Sequence, residues 1–412
     1  MNRQPEPPLL LRVANTVGRA LPRARLDPDE LIEGACRKTG LHNFGPDGPF
    51  IDGLRALCES LESEAGLTPA GRLLVRQMIH QGLRNQLQLE HWYRRHPEIT
   101  EQQIVRPLVI IGMPRTGTSI LHELLALDTA NRCPMTWELA HPFPPPESSA
   151  FDTDPRIGRT SRELRLSHYL MPGVENMHRM GAQLPQECVA ITAWIFSSMQ
   201  YNTVLRIPAY TDWLMHRADH QAMYRFHHRV LRYLQWCRPG ERWVTKTPAH
   251  LWSLEALLTE YPDAMLVQTH RDPLKVVSSL ASMLPTMRAA YSSNIDVHEI
   301  AREWSDNCAN ALNASVSSRR AGVIRPEQVI DIHFREFMAD PAGQVERIYS
   351  QFGFAFSDAF RDAIRDYIAN NPADKHGGHQ YRFSDTGLDV DTEREKVGDY
   401  QAYFGVPPEA VA

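Results

Sequence analysis

The chain has 412 residues, 42% of them hydrophobic and 23% charged, which is ordinary globular composition with room for a large α/β core. Its 44 Lys and Arg against 49 Asp and Glu leave a formal net charge of −5, which excludes broad nonspecific nucleic-acid binding and requires any anion site to be built locally. No apolar run approaches the roughly 18 residues of a membrane span, the first residues lack a secretory h-region, and the six scattered cysteines form no CxxC; the chain reads as a cytoplasmic protein with buried thiols.

Residues 1–27 are rich in Pro and Arg and are expected to form an arm. Short helices are expected over 28–38 and 51–64, with Asp27 or Asp29 capping the first near Pro28. Over 68–95, Leu73, Leu74, Met78, Ile79, Leu83 and Leu87 recur roughly at helical spacing. Residues 1–104 offer no nameable chemistry and read as an N-terminal arm and helical extension.

Leu108 to Ile111 is a short apolar run bounded by Pro107 and Gly112, the pattern of a strand buried on both faces. A turn follows from Gly112 to Gly117. Ile120, Leu121, Leu124, Leu125 and Leu127 then give a helix with Thr118 and Ser119 in its first turn. Strand, loop and helix in that order make a phosphate cradle, because the helix's first N–H groups and its dipole both favour an anion. The Gly112 to Ser119 stretch is one residue short of a nucleotide-triphosphatase P-loop, whose lysine would stand at Thr118. Here the cation lies inside the loop, at Arg115. That argues against ATP or GTP hydrolysis and for the 5′-phosphate of another nucleotide.

Residues 129–160 are loop-rich, with Pro142, Pro144, Pro145 and Pro146 ending regular structure. Residues 161–237 read as helical. Their Met171, Met177, Met180, Trp194, Phe196, Met199, Tyr201, Trp213 and Tyr224 suit either an apolar acceptor pocket or plain helix packing. Strands are expected over 242–245, 264–269 and 329–332. Helices are expected over 250–260, 273–284, 296–319, 341–352 and 357–370, so the sheet should be parallel with helices on both faces. Residues 371–412 read as a polar tail. No metal-ligand spacing stands out; His216, His220, His227 and His228 read as surface or packing residues.

A second anchor lies at the end of the 264–269 strand. Arg271 stands just past it, at the carboxyl edge where open α/β sheets bind ligands. Pro273 is placed to begin the next helix, and Ser279 follows Arg271 by eight residues, two turns in. The forked donors of the Arg and the Ser hydroxyl can converge on one phosphate. Together with Arg115 they suggest a nucleotide phosphorylated at two positions.

On these residues the chain resembles, over about 105–380, the sulfotransferases that use 3′-phosphoadenosine 5′-phosphosulfate (PAPS), and most of all their bacterial branch. Pro114, Arg115, Thr116, Gly117, Thr118 and Ser119 are similar to the 5′-phosphosulfate loop, in the Arg-bearing form of the protein-tyrosine and carbohydrate enzymes. Arg271 through Ser279 is similar to the 3′-phosphate site. Thr245 to Pro248 resembles the lysine motif, which implies that Lys246 meets the leaving phosphate. By the same resemblance Phe334 lies near the adenine, and Lys375 and His376 belong to an element that closes over the nucleotide.

The resemblance implies a P-loop-like parallel sheet flanked by helices, with a helical acceptor-pocket insertion over about 150–240 and a tail, 381–412, packing on the domain. It implies metal-free sulfuryl transfer from PAPS to a hydroxyl, less readily an amine, of a small molecule, lipid or glycan, by a monomer or a homodimer. The cytosolic enzymes' catalytic histidine falls here at Pro248, so the base must come from elsewhere. Glu138, after the P-loop helix, is the first candidate, as in the protein-tyrosine branch; Glu187 is the rival, followed by His168 and His178. Two other functions compete. A P-loop small-molecule kinase is disfavoured by Thr118 in the lysine position. A non-catalytic nucleotide-binding member is disfavoured by Arg115, Lys246, Arg271 and Ser279 occurring together.

Overall fold

Short apolar runs flanked by helices assemble into the expected parallel sheet. A computed structural model describes residues 7–46, 50–177, 179–371 and 382–411. The chain divides into two compact units. A sheet unit comprises Ile104–Cys133, Gly240–Met283 and Asp296–Ala412, and a helical unit comprises Met1–Gln103, Pro134–Pro239 and Leu284–Ile295.

The sheet unit holds five parallel strands: β1 (Leu108–Ile111), β2 (Asn131–Arg132), β3 (Arg242–Lys246), β4 (Met265–His270) and β5 (Val329–His333), in the order β2-β3-β1-β4-β5. Every residue of β1 and β4 is buried, as expected of central strands covered on both faces: the apolar Leu108–Ile111 and Met265–Val267, and with them the polar Gln268, Thr269 and His270. Ile110 pairs in register with Lys246 on one side and Val267 on the other, so β1, β3 and β4 finish along one edge. The chain lays β3 against one side of β1 and β4 against the other, which makes β1 the point where strand order reverses. Loops at the carboxyl ends of strands beside such a reversal form the ligand crevice of open α/β sheets.

Three elements depart from the sequence reading. The two residues of β2 lie in a stretch read as loop, and two residues carry no periodicity to find. The helix after β4 extends over Pro273–Arg288, passing through Pro285. In the tail read as polar, Val390–Phe404 is a 15-residue helix capped at Asp389. It docks on the helix Val297–Arg320 mainly through polar contacts. Arg320 pairs bidentately with Asp399, at 2.7 Å for each nitrogen, and Lys396 reaches Asp306 at 2.8 Å. Near its end the Tyr400 hydroxyl lies 2.8 Å from His270 Nδ1, while His270 Nε2 lies 2.9 Å from Asp331 Oδ1. Arg319 also donates to Asp331, at 2.6 Å.

The helical unit is organised on Pro69–Arg95, a helix capped by Thr68. Val75, Ile79, Leu83 and Leu87 recur every four residues on it and are completely buried. Burying each such side chain stabilises by about 1.5–3 kcal/mol. The sequence reading had the phase of the first turns wrong, since Leu73 is 61% exposed while Arg72 is buried and ion-paired with Glu62. Gly71 is required in this helix, because a Cβ there would lie 1.9 Å from the Tyr291 carbonyl oxygen. In the mid-chain segment, Phe196, Tyr201, Tyr210 and Trp213 form a run of rings with successive centroids 6.4, 6.0 and 5.7 Å apart. Trp194 meets Phe226 edge-on at 6.3 Å. These aromatics pack on one another; the Met177 side chain lies outside the described residues.

All six cysteines are buried, and burial pushes the Cys58 thiol up to about 12. Among the described residues no helix is long and apolar enough to cross a membrane.

Candidate active site

The turn after β1 is shaped by three residues with left-handed or related backbone. Gly112 has φ 136°, Arg115 φ 69° and Gly117 φ 93°. Gly112 also admits no side chain, since a Cβ would lie 2.2 Å from Thr269 Oγ1. For Arg115 the positive φ costs on the order of 1 kcal/mol, which the surrounding contacts must hold in place. Part of that restraint comes from Thr116. Its buried hydroxyl lies 2.6 Å from the Met113 carbonyl and 2.6 Å from the Thr269 hydroxyl, tying the turn to β4. Gly117 is the N-cap of the helix Thr118–Leu125 and has no side chain to cap it. The first N–H groups of that helix are thus left for an anion or solvent.

Three strand ends bring cations to this turn. At the end of β3, the buried Lys246 donates to Ser119 Oγ at 3.2 Å. From within the turn, Arg115 Nε donates to Ser279 Oγ at 3.1 Å. Beyond β4, Arg271 donates through NH1 to the Arg115 carbonyl at 3.0 Å and lies 4.1 Å over the Phe334 ring. Arg115, Thr116, Ser119, Lys246, Arg271, Ser279 and Phe334, far apart in sequence, thus form one connected constellation. Pro114, Gly117 and the buried Thr118 belong to the same turn.

The sequence reading missed what stands against Arg271. Glu409 accepts from its Nε at 3.0 Å and its NH2 at 3.2 Å. The Glu409 N–H donates to Asp272 Oδ2 at 2.6 Å, and Arg394 NH2 donates to the same oxygen at 2.7 Å. A separation of 138 residues, and a tail read as polar and packing on the domain with no residue singled out, left no sequence signal for this contact.

The candidate bases lie in the helical unit. Glu138 is buried in the first turn of the short helix Thr136–Ala140, and its carboxylate accepts from the Met135 N–H at 3.3 Å. Glu187 is half-buried on a neighbouring segment of that unit. Thr136 N–H donates to Leu184 O at 3.0 Å and Gln186 N–H to Pro134 O at 2.8 Å, so the segments carrying the two carboxylates run side by side. His168 Nδ1 lies 3.3 Å from Glu175. His178, Lys375 and His376 lie outside the described residues. Among the described residues no cluster of three or more His, Cys, Asp or Glu could hold a metal ion.

Residues 107–358, more than half of the chain, match the sequence profile of the sulfotransferase family. The chain belongs to the sulfotransferase family. It is a PAPS-dependent enzyme of sulfuryl transfer, with the P-loop-like α/β fold expected of such enzymes. It is similar to the sulfotransferase STF1 of Mycobacterium tuberculosis H37Rv, at 30% identity and a TM-score of 0.78 over 89% of this chain and 97% of that one. Sulfotransferase STF9 of Mycobacterium avium matches at 28% identity and a TM-score of 0.84, over 93% and 97% of the two chains. A third sulfotransferase, Stf3 of Mycobacterium bovis, is 22% identical over 328 residues, 74% of this chain and 76% of its own. It is named as an omega-hydroxy-beta-dihydromenaquinone-9 sulfotransferase.

Proposed function

We propose that this sulfotransferase moves the sulfuryl group of PAPS to the hydroxyl of a lipid-like small molecule, with Arg115 and Lys246 at the reacting end of the donor. The observation that carries this reading is the convergence of Arg115, Lys246 and Ser119 on one helix N-terminus, with Arg271 and Ser279 beside them. In PAPS the group to be transferred is joined to the 5′-phosphate. The first-turn N–H groups and the hydroxyls of Thr118 and Ser119 would hold that phosphate. Arg271 and Ser279 would take the 3′-phosphate, and Phe334 would lie by the adenine.

Transfer is an in-line displacement at sulfur, in which positioning and electrostatics supply most of the catalysis, as in phosphoryl transfer. The acceptor oxygen forms a new S–O bond while the bond from sulfur to the bridging 5′-phosphate oxygen breaks. Negative charge grows on that oxygen as 3′,5′-bisphosphoadenosine (PAP) departs, and the Arg115 and Lys246 cations stabilise it. The acceptor hydroxyl gives its proton to a base, for which Glu138 is our first candidate and Glu187 the second. No step in this scheme requires a metal.

Support for a lipid-like acceptor comes from the relative named for a hydroxylated menaquinone derivative. The test supplies labelled PAPS and magnesium-free buffer with hydroxylated prenyl lipids, glycolipids and simple phenols in parallel. A sulfated prenyl lipid formed together with an equal amount of PAP is the expected result. Exclusive sulfation of phenols would refute the lipid reading, and PAP release without any sulfated acceptor would refute transfer.

A further inference from the structure

We propose that Glu409 is a built-in competitor for the donor's 3′-phosphate. This inference rests on the reading of Arg271 as the ligand of that phosphate. Arg271 engages Glu409 by its Nε and NH2 edge, two parallel N–H donors to two carboxylate oxygens at 3.0 and 3.2 Å. That edge is the forked geometry by which a guanidinium takes a phosphate. The remaining terminal nitrogen, NH1, is engaged by the Arg115 carbonyl at 3.0 Å, and Phe334 covers a face of the group at 4.1 Å. A phosphate approaching the same fork must take the place of the carboxylate.

The carboxylate is not a passing contact of a loose end. After the helix Val390–Phe404 the chain turns at Gly405, and the buried Val406 is fixed by hydrogen bonds in both directions with Gln401, at 2.9 and 3.2 Å. Three residues later the Glu409 N–H is held by Asp272, whose fully buried side chain also accepts from Arg394 of that helix and from the Leu274 N–H. Asp272 thereby joins three things: the start of the helix bearing Ser279, the C-terminal helix, and the strap that carries Glu409. The strap delivers one negative charge to Arg271 from a fixed backbone position.

A phosphate monoester carries more charge than a carboxylate and three acceptor oxygens, so it displaces Glu409, with an affinity reduced by the fraction of sites the carboxylate holds. A nucleotide without a 3′-phosphate leaves the pair untouched. Glu409 therefore selectively weakens the hold on PAPS and PAP. PAP must leave at every turnover, and product release limits many enzymes.

Calorimetric titration of the wild type, Glu409→Gln and Arg271→Ala with PAP and with adenosine 5′-monophosphate tests this. Glu409→Gln should bind PAP about fivefold or more tightly, with the monophosphate unchanged, as expected for removing a partly exposed ion pair that competes for one partner. Weaker or unchanged PAP binding by Glu409→Gln would overturn the competitor, the weaker case meaning that Glu409 orients Arg271. The reading of Arg271 fails separately: its alanine variant would then keep the full preference for PAP over the monophosphate.

Discussion

Arg115 and Lys246 are the residues whose loss should separate binding from chemistry. In the proposed scheme each faces charge that is larger in the transition state than in bound PAPS, so each alanine variant should lose roughly a hundredfold or more in kcat at saturating PAPS. Lys246→Ala with unchanged turnover would reduce that lysine to a strand-end residue holding Ser119. Ser279, whose hydroxyl accepts from Arg115 Nε, would offer the 3′-phosphate one uncharged donor, so Ser279→Ala should weaken PAP by on the order of 1 kcal/mol, read by calorimetry. For the base, Glu138→Gln should bind PAP normally and lose about a hundredfold or more in turnover, while Glu187→Gln changes mainly acceptor KM or stability. The reverse ranking would move the role to Glu187. Arg115, Lys246, Arg271 and Ser279 could be read from sequence because each stands at a fixed offset from a strand end or a glycine turn. That Arg115 touches Ser279, and that Thr116 is pinned by Thr269, depends on loop conformation, which offsets do not specify.

The C-terminal helix makes a prediction of its own. Burial holds the His270 imidazole below its ordinary value, against the opposing pull of Asp331. A neutral ring fits both contacts, donating from Nε2 to Asp331 and accepting at Nδ1 from the Tyr400 hydroxyl. Because the unfolded chain takes up this proton at a higher pH than the folded one, the contribution is fully present above about pH 6.5. It is lost as pH falls toward the lowered value in the folded protein. Asp331 is itself held below its ordinary value, with His270 and Arg319 outweighing the effect of its burial, so its own loss falls at more acidic pH. Melting temperature should therefore decline as pH falls below about 6.5 in the wild type, and less steeply in His270→Gln. Equal slopes would show that this histidine does not titrate on unfolding.

The same helix explains a failure of the sequence reading. Of its 15 residues only Glu393, Val397 and Tyr400 are buried, and its other contacts include surface ion pairs, so no apolar stripe announces it. In Pro69–Arg95 the stripe exists, but a buried Arg72 opens it and shifts the apparent phase. The strand β1 was legible as an unbroken apolar run, and β3, β4 and β5 as short runs rich in β-branched residues set between helical segments, despite Thr245, Gln268 and Asp331 within them.

At the scale of the molecule, the N-terminal segment shares one compact unit with Pro134–Pro239 and Leu284–Ile295. Its central helix supplies the fully buried Val75, Ile79, Leu83 and Leu87, and the Thr68 N–H at its cap donates to Tyr291 O at 2.9 Å. Although the family match begins at residue 107, we expect a chain truncated to 105–412 to lose this core and to aggregate. Soluble expression of the truncation, with a cooperative thermal transition and PAP binding, would show instead that the first hundred residues are dispensable. The sequence could not reveal this grouping, because the contacts that make it join distant segments, 108 positions apart for Gln86 and Trp194 and 223 for Thr68 and Tyr291.

The burial of all six cysteines leaves the surface silent toward thiol reagents, since sheltered, protonated thiols react slowly. Ala410→Cys, on the exposed residue beside Glu409, would therefore be a unique attachment point for an environment-sensitive fluorophore without removing any native cysteine. Such a label turns the strap into an optical reporter: PAP should alter its emission with a saturable dose response, whereas adenosine 5′-monophosphate should leave the emission unchanged.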